Sequence, residues 1–531
     1  MEPVKFVYLG EDFEFVKNIE ESLNTFYKDL GIQIIKKSLK TKKDARDFIY
    51  DKETLGYSLF IVDFSANFPL YIFTARCLGF ENNYKKIPLM GLSGIENNNE
   101  QFLSGLIAGC KAIFVKGIEI SAASNFAIWL YNPKFVRPVE WPTGEFAEDE
   151  AECFACFKLD YFTPDYVHAE TNLALPIGEE IVLKTEIADN IGVTKFKVTK
   201  EHSRNLYYNL ERNYDLEILA TSKRIEPNLG LIDPAKREPP GVVEGKALEL
   251  FTEFKQKIGK WITAHSSSST PKVTKVLFID QGLTIFPQLE KNPDEYPFYI
   301  MAHRNFMPDM VSIPKLMPNL LVFVLYLEGE EILNSLDLLP KIIQKIQEQG
   351  NYSPFLFIYN CNLSQSDLQK KYNYGKIITY QGGVDFKVFE KIIEKYESSI
   401  SKKTINDPKK ENRFYIGKER KDSFGYHSFK IRITGIKETT LTFKTTYQLE
   451  EFFALKLEFP TKMWLTILPK TKEEKASDKK SESYLKTYTA FIHGIGEMEK
   501  NQLRVYINKV FIPKEPEPKK PVASKDKKKA A

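Results

Sequence analysis

The feature that most constrains this chain is an internal duplication. KFVYLGED (Lys5–Asp12) lines up with KVLFIDQG (Lys275–Gly282), and KAIFVKG (Lys111–Gly117) with KIITYQG (Lys376–Gly382). Further along, the alternating segment Phe157–Glu186 has its counterpart in Phe429–Glu458. Whatever the first half folds into must be available a second time, so the 531 residues divide into repeated units rather than one large core.

In residues 1–135, five short apolar runs read as buried parallel strands: Val4–Leu9, Ile32–Ile35, Leu59–Val62, Pro88–Leu92 and Ala112–Val115. Helical stretches separate them. In the first, Phe13, Val16, Ile19, Leu23 and Phe26 recur at three- and four-residue steps, with Lys17, Glu20 and Glu21 on the other face. Strands interleaved with helices predict a doubly wound parallel sheet, whose ligands gather at the carboxyl ends of its strands. Residues 145–222 alternate apolar and polar instead (Phe157, Leu159, Tyr161; Ile181, Leu183, Thr185), which predicts a small antiparallel β-barrel. Residues 223–272 read as a linker with one helix around Glu244–Ala264. The α/β pattern returns in 273–400 and the alternating pattern in 412–513. A Lys/Pro-rich tail, 514–531, is expected to be disordered. The fold class is therefore α/β plus all-β, in the order α/β, barrel, α/β, barrel.

Charge excludes a chain-wide nucleic-acid footprint, because Lys and Arg number 75 against 71 Asp and Glu. The tail carries seven lysines against Glu515, Glu517 and Asp526, so the excess of +4 lies there and the rest of the chain balances. Five cysteines, an odd and sparse set, do not form a secreted disulfide framework. The start of the chain lacks a signal-peptide pattern, and the longest apolar run, Leu320–Leu327, is less than half of the roughly 20 residues a membrane helix needs. The expectation is a cytoplasmic protein without membrane insertion.

Five polar residues fall where a doubly wound sheet would use them. Glu11 and Asp12 follow the first strand, Asp63 closes the third, Ser93 the fourth and Lys116 the fifth, so all converge on one edge. Three carboxylates (Glu11, Asp12, Asp63) can hold a hard cation such as Mg²⁺ through oxygen ligands. A lysine and a hydroxyl beside them suit phosphoryl oxygens, which makes Asp63 a candidate carboxylate nucleophile.

With this constellation, residues 1–135 resemble the receiver domain of bacterial two-component response regulators, a flavodoxin-like fold. The resemblance implies that Asp63 accepts a phosphoryl group from a histidine kinase or phosphotransfer protein. It further implies that Glu11, Asp12 and Asp63 bind Mg²⁺, that Ser93 senses the phosphoryl group and that Lys116 pairs with it. Three positions depart from the family pattern. The first proline after Asp63 is Pro69, six residues on rather than four; Gly117 stands where proline commonly follows the lysine; and Ile113 replaces the aromatic switch residue. In the second copy Gln281, Gly282 and Gln381 stand at the places of Glu11, Asp12 and Lys116, although Asp280 sits one place earlier. No aspartate lies between Leu316 and Ser335. That copy is expected to be a pseudo-receiver.

The two alternating segments resemble the PilZ domain, a bacterial barrel that binds cyclic di-GMP, by their position after a receiver and by LPIGEEIVLKTEI and QLEEFFALKLEF. The binding motifs are missing. GEFAEDEAE before the first barrel has no arginine, Arg413 and Arg420 before the second lack the RxxxR spacing, and FTPDYV and TGIKETT replace [D/N]xSxxG. No nucleotide-binding residues are assigned. Cys153 and Cys156 form a lone CxxC, GGVDF (Gly382–Phe386) reads as a glycine turn, and the six histidines are scattered without metal spacing. The sequence thus predicts a non-enzymatic bacterial signalling protein acting through unidentified protein partners, with or without phosphorylation of Asp63. Two alternatives stand beside it, a constitutive scaffold and a cyclic di-GMP effector working through the second barrel.

Overall fold

The structure is a computed structural model that describes residues 4–131, 144–202, 212–219, 245–266, 274–302, 318–381, 387–394, 413–417, 423–470 and 484–513, apart from short breaks inside those ranges, together with Gly230, Leu231 and Asp233. The Lys/Pro-rich tail, GGVDF, Gln281, Gly282, Arg420 and half of the 223–272 linker lie outside the described residues.

The first unit alternates β1 (Lys5–Leu9), α1 (Phe13–Phe26), β2 (Gln33–Lys37), α2 (Lys42–Tyr50), β3 (Leu59–Asp63), α3 (Phe68–Phe80), β4 (Leu89–Ser93), α4 (Asn99–Ala108), β5 (Ile113–Val115) and α5 (Ile120–Tyr131). All pairings are parallel and the sheet order is 2-1-3-4-5, the flavodoxin-like doubly wound order. β3 and β4 are buried along their whole length, because helices cover both faces of the sheet. Val7, Leu9, Phe60 and Val62 pack on one side, and Phe6, Tyr8, Leu59 and Ile61 on the other, as the two-residue period of a strand requires.

The next strands are β6 (Gly144–Phe146), β7 (Asp149–Phe162), β8 (Tyr166–Thr171) and β9 (Glu180–Thr185), then, after α6 (Glu186–Ile191), β10 (Lys195–His202) and β11 (Arg212–Ile218). α7 (Lys246–His265) leads into the second α/β unit, with β12 (Lys275–Ile279), β13 (Tyr299–Ala302), β14 (Leu320–Val324), a small hairpin of β15 (Tyr326–Glu328) and β16 (Glu331–Leu333), α8 (Leu339–Gln347), β17 (Phe355–Tyr359), α9 (Gln365–Tyr372) and β18 (Ile377–Tyr380). Its parallel sheet, β13-β12-β14-β17-β18, repeats the order of the first. The chain then adds β19 (Phe414–Tyr415), β20 (Phe424–Ile436), β21 (Thr440–Thr445), β22 (Ala454–Leu457), β23 (Met463–Ile467), β24 (Lys486–His493), α10 (Glu497–Val510) and β25 (Phe511–Pro513). β25 pairs with β6 in a ribbon that joins two parts of the chain far apart in sequence.

The two antiparallel segments do not form two separate barrels. Their strands belong to one 11-stranded sheet, built around a long antiparallel pair between β7 and β20 that runs from Lys158↔Phe424 to Asp149↔Ile433. One circuit of pairings closes through β7, β8, β11, β10, β9 and β20, and the other through β20, β21, β24, β23, β22 and β7. Each circuit is completed by a strand from the other repeat. The exchange is symmetric: Leu183 of β9 pairs with His427 of β20, and Leu455 of β22 with Ala155 of β7, both partners shifted by the same 272 residues (455 − 183 and 427 − 155). Gly425 sits at this crossing, where a Cβ would lie 2.6 Å from Thr185 Cγ2. A single hydrophobic cluster runs through both circuits and includes Phe157 of β7 and Phe429 of β20, Ile258 and Ile262 from α7, and Leu503 and Ile507 from α10. Among the described residues no helix is long and apolar enough to cross a membrane.

Candidate functional site

The carboxyl ends of β1, β3 and β5 bring Asp12, Asp63 and Lys116 together. Asp63 is fully buried, and both of its oxygens are engaged. Oδ2 accepts from the Tyr8 hydroxyl at 2.6 Å and from Lys116 Nζ at 2.9 Å. Oδ1 accepts from the backbone N–H of Ser65 at 2.9 Å and from its hydroxyl at 2.6 Å. Lys116 Nζ also reaches Asp12 Oδ2 at 2.8 Å and Ser65 Oγ at 3.1 Å. Asp12 Oδ1 in turn accepts from the Phe15 N–H at the start of α1, at 3.0 Å, which anchors it to the helix N-terminus.

Electrostatics follow from this geometry. The hydrogen bond from Lys116 and that from Phe15 hold the Asp12 carboxyl below the usual carboxylate range. Burial alone would lower the Lys116 ammonium, but its bonds to Asp12 and Asp63 outweigh burial and raise it. Burial, and after it the negative charge of Asp63, push the Tyr8 phenol far up, so Tyr8 is a hydrogen-bond donor and not a titrating acid. The cation between Asp12 and Asp63 is thus the Lys116 ammonium, and Mg²⁺ held by the same oxygens would have to displace it.

Two of the predicted residues stand apart from this knot. The Ser93 hydroxyl is buried and donates to Gln101 Oε1 on α4 at 2.7 Å, while its backbone oxygen accepts from Lys116 N–H at 2.8 Å. The Glu11 side chain is exposed. Tyr8 and Ser65 make three of these four hydrogen bonds to Asp63, and neither stood out in the sequence, since Tyr8 looks like any aromatic on a buried strand. Gly10 makes room for the network: a Cβ there would come within 2.6 Å of the Tyr8 ring and 2.7 Å of Asp63 Cβ. Gly117 has φ +81°, which proline cannot adopt, so the loop after Lys116 takes a path closed to the proline common in receivers.

The strand that carries Lys116 is also where the first unit docks on the antiparallel body. His493 at the end of β24 lies against the backbone of Ile113, its Nδ1 3.4 Å from the N and 3.1 Å from the O, and its Nε2 is 3.0 Å from Thr466 Oγ1. Thr466 donates to Lys111 O at 2.6 Å. Buried Glu119 accepts from Val115 N–H at 2.7 Å and from Gly494 N–H at 3.0 Å, and Lys500 donates to Ile118 O at 3.2 Å. Rings close the joint: Phe491 packs 4.9 Å from Phe126 and 6.0 Å from Phe114, and Trp464 stacks on Phe102. Ile113, at the sheet edge, is therefore held between β4 and His493. The second unit docks by the other edge of its sheet, where Tyr299 of β13 donates to Asp160 at 2.9 Å and packs on Tyr415.

The second unit lacks the constellation among its described residues. Leu9 pairs with Val62 and Ile279 with Phe323, so the next residue, Asp63 in one copy, is Val324 in the other, buried in that unit's core. Gln381 after β18 is exposed, and Asp280 Oδ2 accepts from Ile285 N–H at 2.6 Å. Arg413 lies over the Tyr161 ring at 4.7 Å, an arginine engaged within the chain. Cys153 and Cys156 are three apart on β7, which places them on opposite faces of the strand. Burial raises both thiols, that of Cys156 to about 12.

No protein-family model matches the chain, and no curated protein matches it. Solved structures similar to it are of response regulators. The signal receiver domain of a DNA-binding response regulator from Colwellia psychrerythraea is 12% identical, with a TM-score of 0.20, over 24% of this chain and 97% of that one. The phosphorylated cyanobacterial phytochrome response regulator RcpA is 14% identical, with a TM-score of 0.19, over 24% and 89%. A response regulator in red light signaling of R. palustris is 17% identical, with a TM-score of 0.19, over 26% and 99%.

Proposed function

We propose that this chain is a non-enzymatic signalling protein of the response-regulator type that works through protein–protein contacts, with its first unit held in one closed state. One observation carries the reading: the Asp63 carboxylate is fully buried and saturated by Tyr8, Ser65 and Lys116. A phosphoryl donor needs an oxygen it can reach in line, and here each is covered by a donor from the chain itself. The second unit, with Val324 in place of the aspartate, then serves structure and contact alone.

A second reading rests on the meeting of Asp12, Asp63 and Lys116 at the strand ends. If Tyr8 and Lys116 swing aside, Mg²⁺ and a phosphoryl group from a histidine kinase or phosphotransfer protein have the ligands they need. Incubation of the full chain with acetyl phosphate and Mg²⁺, followed by intact-mass measurement, separates the two. The closed-site reading expects no mass gain. A gain that Asp63→Asn abolishes would overturn it in favour of phosphorylation.

A further inference from the structure

Two of the six histidines meet a carboxylate across three neighbouring strands. In the sheet, β11 lies between β10 and β8. Asp215 of β11 pairs directly with His168 of β8, and His202 of β10 follows Lys200, the residue opposite Asp215 on the other side. Val167, Ala169, Tyr214 and Leu216 point into the core, so His168 and Asp215 share the opposite face. His168 Nδ1 is 2.9 Å from Asp215 Oδ1, and His202 Nε2 is 2.6 Å from Oδ2. One ligand atom from each of the three residues lies within 4.8 Å of the others.

We propose that His168, His202 and Asp215 form a binding site for a divalent transition-metal ion of the Zn²⁺ type. Two imidazole nitrogens and one carboxylate oxygen are a borderline donor set that suits Zn²⁺ and disfavours Mg²⁺ and Ca²⁺, which take oxygen ligands. Three protein ligands leave a position for solvent, and the His202 side chain, 30% exposed, opens the site to water. The site is also preorganised. The His168 ring is buried and stacks on Tyr161 with centroids 5.0 Å apart and planes 5° from parallel, and Arg413 lies over Tyr161, which fixes the imidazole's direction. A metal ion needs the lone pairs of the two ring nitrogens that face Asp215, so any proton carried there passes to the opposite ring nitrogen or to solvent on loading, and the carboxylate exchanges its two imidazole contacts for the ion. His168 and His202 sit on different strands, far beyond the short steps between paired ligands in linear zinc motifs, which is why the histidines look scattered in the sequence.

The test is calorimetric titration of the chelator-stripped full chain with Zn²⁺, with Mg²⁺ and Ca²⁺ as separate arms, on wild type, Asp215→Asn and His202→Gln. Saturation at one equivalent by Zn²⁺ alone is expected. Loss of either ligand should weaken binding by more than the roughly 10–100-fold that outer-shell changes cost. Thermal melts show whether each variant folds, and His202, the most exposed of the three, is the variant least exposed to misfolding. Co²⁺ loaded into wild type gives a reading independent of both variants, since nitrogen and oxygen ligands produce visible d–d bands without thiolate charge transfer. No saturable Zn²⁺ binding, unchanged affinity in both folded variants, or a thiolate band would each overturn the site.

Discussion

At the scale of residues, the first unit's site is a balance of charge inside the protein. Asp63 is a buried anion whose cation is Lys116, itself only 14% exposed at its side chain. Removing one partner of such a pair leaves a charge that the interior cannot solvate, at about 3–5 kcal/mol, whereas removing both is far milder. Lys116→Met should therefore lower the unfolding free energy by about that amount, and adding Asp63→Asn should recover much of it; urea titrations of the single and double variants check both signs. Equal destabilisation by the double variant would show that the pair is not what balances Asp63. Asp63, Asp12 and Lys116 were legible in the sequence because each ends or follows a short apolar strand, and the parallel fold sends such ends to one edge. Tyr8 and Ser65 were not, because a hydroxyl on a core tyrosine gives no local sign of the carboxylate 55 residues away that it meets.

Between elements, the joint of β5 with β24 holds two buried titratable groups with opposite tendencies. Burial pushes the His493 imidazole down to about 3 from its ordinary 6.5, so the unfolded chain binds a proton there that the fold does not. That contribution is fully favourable above pH 6.5 and lost as pH falls toward 3. Burial pushes the Glu119 carboxyl up from 4.5 to about 8, over the opposing hydrogen bonds from Val115, Ile495 and Gly494. The fold then keeps a proton that the unfolded chain gives up, and stability falls as pH rises from 4.5 to 8. The two slopes, each up to about 1.4 kcal/mol per pH unit, oppose one another between 4.5 and 6.5. Stability should thus rise to a plateau there and decline above it, and Glu119→Gln should remove the decline; denaturant midpoints across this pH range give the comparison. A decline that persists in Glu119→Gln would assign it elsewhere. The strands and helices of this unit were legible from apolar runs and three- to four-residue periodicity. The joint was not, since Ile113 and His493 lie 380 residues apart and each reads as ordinary core.

At the scale of the whole molecule, the shared pair of β7 and β20 decides what can fold alone. Residues 1–272 contain β7 to β11 but lack β20, so their circuit would stay open with bare edges on β7 and β9. Expressed separately, that half should aggregate, and co-expressed with residues 273–531 it should copurify with it one to one. A monomeric, soluble 1–272 with a cooperative melt would contradict the pairing. The alternation of β7 and β20 predicted antiparallel sheet, but pairing partners more than 250 residues apart leave no periodicity to read, and two separate barrels fit the same pattern. The exchange has a further consequence. Two copies joined by swapped strands are, in architecture, a dimer whose subunits happen to be one chain, so association is a first-order event that dilution cannot reverse. A true homodimer must carry every substitution twice; here each copy accepts changes alone, which is how one sheet can keep Asp63 while its twin holds Val324 at the same place.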